Sequence, residues 1–224
     1  MSTNTWMPAG RAVRMLSARR TAYFAYAAGA TGVLADLFLI TLYVQLGLQT
    51  GSPEAQTPLG LIGDLAGAAS DLLGSLATAF MIPVALFLLG RLPGRRAVRL
   101  TQAAGLTAMA LLTAGGSLLV FRVLAFDVQT PIAMAAWIIL CVWLWLTNQW
   151  LRLSDALPIW VARLGELVGV GLLAGYVIVG LGLLLPWMSW PQLVVFGVGL
   201  LIGLPAYLGM PVWFVFLGRH LGTL

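Results

Sequence analysis

Six apolar runs, each long enough to cross a bilayer, constrain this chain more than any other feature. A helix rises about 1.5 Å per residue and the hydrocarbon core is about 30 Å thick, so roughly 20 apolar residues make one crossing. Cut on that rule, the sequence gives spans of about 21–46, 58–90, 101–124, 131–149, 164–185 and 193–218. The expected fold class is all-α, a polytopic membrane helix bundle with six transmembrane helices in one domain, 21–218. A basic tail, 1–20, precedes it and a short tail, 219–224, follows it. Composition agrees, because 61% hydrophobic and 8% charged residues leave too little polar surface to cover a water-soluble globule.

The cations indicate how such a bundle is oriented. Arg11, Arg14, Arg19 and Arg20 precede the first span, Arg91, Arg95, Arg96 and Arg99 follow the second, Arg152 and Arg163 follow the fourth, and Arg219 follows the last. Only Arg122 breaks the pattern. The positive-inside rule makes the Arg-rich side the cytoplasm and puts both termini there. The net charge of +5 is thus explained by topology rather than by duplex binding, and no nucleic-acid partner is expected. Membrane lipids are the expected partners, with other membrane-protein subunits if the chain belongs to an assembly. The first run is too long for a cleaved signal and reads as a retained span. Arg without Lys, beside abundant Ala and Gly, suits a GC-rich bacterial genome and an inner-membrane location.

Turn chemistry separates the spans. Gln49 to Thr57, with Gly51, Ser52 and Pro53, reads as an outer loop; Arg91 to Arg99, with Leu-Pro-Gly, as an inner one. Asp127, Gln129 and Pro131 mark an outer turn. Ser154 and Asp155 before Pro158 form a helix-start signature, and Trp160 with Arg163 suggests an interfacial turn before the fifth span. Pro205 and Pro211 should kink the sixth. Small residues mark the seams where helices approach in lipid: Gly63, Gly67, Ser70, Gly74 and Thr78 on span 2, then the pairs Gly165/Gly169, Gly171/Gly175 and Gly199/Gly203. Leu61, Leu65, Leu72 and Leu76, opposite the first stripe, should face lipid.

Carboxylates inside spans are expensive and need partners. Asp36 continues the stripe Ala25, Gly29, Gly32, while Asp64 and Asp71, seven residues apart, share one face beside the glycines of span 2. All three are expected to line the bundle in its outer half, with Arg122 at a comparable height. The expected site is a cluster of Asp36, Asp64, Asp71 and Arg122. It reads either as a structural ion pair that sets helix register, or as a polar pocket that binds a cationic or hydroxylated ligand or relays protons.

Other chemistries find no support. One Cys and one His exclude an intramolecular disulfide and bis-His haem, and without Lys there is no retinal Schiff base. No metal site, cofactor or catalytic residue is expected, and His220 reads as a helix-end cation. Trp137, Trp143 and Trp145 in span 4 are candidates for contact with a flat lipid or ligand, against a plain packing role. Trp6, Trp150, Trp160, Trp187 and Trp190 read as an interfacial belt.

Two stretches, Leu157-Pro158-Ile159-Trp160-Val161-Ala162-Arg163-Leu164-Gly165 and Tyr207 through Pro211-Val212-Trp213 to Leu217-Gly218-Arg219, resemble uncharacterised bacterial six-helix proteins. The chain is similar in length and span count to domain-of-unknown-function family 4386. That resemblance implies the architecture and no catalytic residue. The resulting expectation is a non-enzymatic inner-membrane protein acting as an accessory, scaffold or sensor component. The alternative is a transporter or binder of a small or lipidic molecule that uses the Asp/Arg cluster.

Overall fold

The structure, a computed structural model, describes residues 17–50, 61–186 and 189–224. The basic segment with Arg11 and Arg14, the outer loop with Gly51 to Thr57, Trp6 and Trp187 lie outside the described residues. Six α-helices are present among those described: α1 (Ala18–Thr50), α2 (Leu61–Leu89), α3 (Arg96–Val120), α4 (Phe126–Leu153), α5 (Ile159–Gly182) and α6 (Trp190–Gly222). All six are long and apolar enough to span a membrane. Each packs against its neighbours in the chain and α6 closes back on α1, so the bundle is an up-and-down ring.

Helices α1, α4 and α6 overrun the hydropathy boundaries at both ends and α3 and α5 at their starts, because hydropathy marks what sits in hydrocarbon whereas backbone hydrogen bonding continues into the interface. At their other ends α3 and α5 stop short of the expected 124 and 185. Arg96 and Arg99, read above as loop, ride on α3. Pro131, expected to open the fourth span, lies inside α4 five residues from its start and deprives only the Asp127 carbonyl of a helical donor. Pro158 occupies the N-cap of α5, so the expected interfacial turn is that helix's first turn. At α6 the Ser189 hydroxyl accepts from Gln192 N at 3.4 Å, and the helix continues through Pro205 and Pro211 to Gly222, absorbing most of the expected tail.

Two turns give Arg122 and Asp155 roles other than the expected cluster and helix-start signature. Arg122 (φ 56°) and Asp155 (φ 50°) are the left-handed residues that end α3 and α4. After each, the chain closes as a Schellman motif: Val123 N donates to Leu118 O at 2.9 Å, and Ala156 N to Leu151 O at 3.0 Å.

Small residues form the seams as expected on α5 and α6. Gly165 seats the Asn148 side chain, Gly169 faces the backbone of Trp145 and Cys141, Gly171 faces Ala206, and Gly175 meets Gly203. On α2 the stripe is displaced. Gly67 touches Leu42 of α1, but Gly74 has nothing within 4 Å. The α2–α3 seam uses Thr78 of the expected stripe, whose hydroxyl shares a 2.9 Å hydrogen bond with that of Thr113, together with Ser75 against Gly116, which the stripe did not include. Leu65, Leu72 and Leu76 are exposed, as a lipid-facing stripe requires.

The core is concentrated toward one end. The large, fully buried side chains, Trp143, Trp213, Phe214, Met81, Leu88 and Leu217 among them, lie near mid-helix or on the Arg-rich side of it. A buried polar bridge crosses that half: Trp143 Nε1 donates to Gln102 Oε1 at 3.0 Å, and Gln102 Nε2 donates to Thr147 Oγ1 at 2.8 Å. Trp213 Nε1 donates to the Val161 carbonyl at 3.1 Å and ties α6 to α5.

Candidate functional site

The acidic residues expected to gather around Arg122 are dispersed. Asp36 is buried at 7% exposure, Asp64 and Asp71 are exposed on α2, and Arg122 is exposed in the α3–α4 turn. No ion pair joins Arg122 to any of the three; among the described residues the recorded ion pair is Arg152–Glu166. The expected cluster is therefore corrected: Asp64 and Asp71 do not line a buried interior, and Arg122 is placed by turn geometry.

Asp36 has a different neighbour. The Tyr207 phenol of α6 faces its carboxylate on α1. The antiparallel register sets this up. Gly29 and Gly32 seat α1 on Pro211 and Val215, and one turn further along each helix the same seam brings Asp36 level with Tyr207. The ring of Trp137 on α4 lies 6.1 Å from that of Tyr207 at 51°. Since Tyr207 meets both α1 and α4, its face of α6 points into the ring.

Leu204, Gly203 and Leu200 continue that face at helical spacing, and with α1 and α5 they enclose a groove of about 350 Å³. Its inner end is Tyr207 with Leu172, and its outer end is Val179 with Gly199. Eight residues of α6 separate those ends, a depth of about 12 Å. The walls are aliphatic except for the phenols of Tyr43, Tyr176 and Tyr207. The groove lies in the half opposite the Arg-rich end, where the bundle is least filled. It is an apolar slot ending at the Tyr207 phenol, with the buried Asp36 carboxylate beside that phenol rather than in the lining, and its volume suits a small ligand.

The three tryptophans divide. Trp137 reaches Tyr207, Trp143 is fully buried in the Gln102 bridge, and Trp145 lines a separate groove beside Arg152, Arg163 and Glu166. Sequence reasoning missed the tyrosines and Glu166. Tyr207 carries no signal inside an apolar run, whereas Glu166 could have been found from Arg152, because α4 and α5 are joined by a short turn and the long Arg152 side chain reaches the one turn that separates them. Among the described residues no group of three His, Cys, Asp or Glu comes together to hold a metal.

Comparison of the chain with family models, with curated proteins and with solved structures finds no match.

Proposed function

We propose that this chain is a non-enzymatic, multi-pass bacterial inner-membrane protein that binds a small, largely apolar molecule in the α1–α5–α6 groove. In this reading the Arg-rich end is cytoplasmic and the groove opens toward the outside. The carrying observation is an aliphatic slot that ends at the Tyr207 phenol, with the buried Asp36 carboxylate facing that phenol from α1. The phenol oxygen at the end of the slot, and the carboxylate beside it, accept from a ligand that brings its own donor. The matching chemistry is an apolar tail ending in a hydroxyl or ammonium group. An accessory or scaffold role draws less support, since the glycine seams of α5 and α6 are already filled by the chain's own helices.

Three ten-carbon probes with different heads test this: decanol, decylamine and decanoate, added to detergent-purified protein while thermal unfolding is followed. Decanol or decylamine should raise the melting temperature and decanoate should not, because a second carboxylate repels Asp36. Tyr207→Phe and Asp36→Asn should each remove the head-group preference. Equal responses to all three probes, or a preference unchanged in both variants, would refute the reading.

A further inference from the structure

A second groove, of about 340 Å³, lies between α4 and α5 at the Arg-rich end. On α5, Arg163, Glu166, Leu167 and Val170 follow one another at helical spacing; on α4, Trp145 and Arg152 do the same, seven residues apart. The two stripes form its walls. Its back is the seam where Asn148 sits on Gly165 and the Trp145 backbone faces Gly169. The ring interior at this level is filled by Trp143, Leu144, Trp213 and Leu217, so an open groove here faces outward, toward lipid.

Its polarity is graded along the membrane normal. Arg152 and Arg163 are at the helix-end level, whereas Trp145 and Val170 lie seven residues further in, about 10 Å toward mid-membrane. Charge is in excess. Arg152 Nε donates to Glu166 Oε1 at 2.7 Å, which neutralises one guanidinium, while Arg163 has no hydrogen bond or ion pair among the described residues. A paired Arg and a free Arg at the rim, above an aromatic and aliphatic channel, make an anion site with an apolar extension.

We propose that this groove is a site for one anionic phospholipid of the adjoining leaflet. Arg163 holds the phosphate, assisted by the outer nitrogens of Arg152, and Trp145, Leu167 and Val170 receive the first part of an acyl chain. The shared chemistry is that of a phosphate ester. What favours a lipid over a soluble phosphate is the lipid-facing wall of Leu167, which is 70% exposed and gains nothing from a small hydrophilic anion. This site is separate from the Asp36 groove and stands independently of it.

Native mass spectrometry of the full chain, released from detergent after incubation with phosphatidylglycerol, phosphatidylcholine of the same acyl chains, or inorganic phosphate, tests the proposal. One phosphatidylglycerol should be retained in preference to phosphatidylcholine. Arg163→Gln should lower its retention about fivefold, the effect of one interfacial cation. Glu166→Gln, which frees Arg152, should raise it. Arg99→Gln, at the same end but on α3, should change it by less than about twofold if the binding is local rather than a general surface-charge effect. Loss in Arg99→Gln equal to that in Arg163→Gln, or no loss in Arg163→Gln, overturns the site. Displacement of the lipid by inorganic phosphate at equal concentration overturns the lipid as its occupant.

Discussion

Gly175→Ala should open the α5–α6 seam, and the structure sets both the size of the effect and its control. A Cβ on Gly175 would lie 2.6 Å from the Gly203 Cα and 3.2 Å from the Gly199 carbonyl oxygen. Ordinary carbon–carbon contact is about 3.5–4.0 Å, so the two backbones must separate by about 1 Å locally. No side-chain rotamer can relieve this, because the obstructing atoms are backbone. The expected cost is about 2–3 kcal/mol, in the upper part of the range for overpacking. Alanine also gains about 0.5–1 kcal/mol of helix propensity over glycine. Gly74→Ala and Gly180→Ala share that gain and meet nothing within 4 Å. Subtracting them isolates the clash. Unfolding by SDS in mixed micelles, followed by circular dichroism, should place Gly175→Ala about 2–3 kcal/mol below both controls. Gly203→Ala, whose Cβ would sit 3.2 Å from the Gly175 Cα, should fall between them. If all four variants unfold together, close backbone approach does not hold this seam.

Three further outcomes follow from particular contacts. Gln102→Leu removes both hydrogen bonds of a side chain that is 1% exposed and orphans the Trp143 indole N–H, so the same SDS assay should show a loss of about 2–3 kcal/mol. Arg122→Gly should hold or raise stability by up to about 1 kcal/mol, since glycine adopts the left-handed backbone without the Cβ penalty; a clear loss would revive the ion pair. Arg152→Gln breaks an ion pair whose side chains are 29% and 18% exposed, and should cost no more than about 1 kcal/mol and less still in high salt.

The six crossings were legible because lipid leaves a chain few ways to satisfy its backbone, and an apolar run of fixed length is the visible result. The α5 and α6 seams were legible for a related reason: Gly165/Gly169 and Gly199/Gly203 recur at the spacing that makes one helix face small. On α2 that argument failed at Gly74, because a small residue permits close approach without requiring it, and the bulkier Ser75 and Thr78 supply hydroxyls that bond across or back to their own helix. The neighbour of Asp36 was not legible in the sequence. Charge is conspicuous in an apolar sequence and points to Arg122, whereas burial requires only a polar neighbour able to donate, and a tyrosine in an apolar run is indistinguishable from a packing aromatic. Arg122 misled for a complementary reason: a Schellman turn ordinarily shows itself by glycine, and here a charged residue occupies the left-handed position.

The asymmetry of the core links these particulars to the proposed binding. In the Arg-rich half, large side chains fill the ring and indole and amide groups find one another, so the helices have no room to shift without opening voids. In the other half α5 and α6 touch through glycine backbone, which permits close approach but leaves no side chains to fill the space beside it. The slot is a geometric consequence: where Gly175 and Gly203 draw two helices together, the neighbouring large residues, Tyr43, Tyr176 and Tyr207, stand around an unfilled volume instead of across it. A rigid base with an open upper half suits a protein that must hold its fold while a guest enters and leaves, because the contacts that stabilise the ring are not those a ligand disturbs.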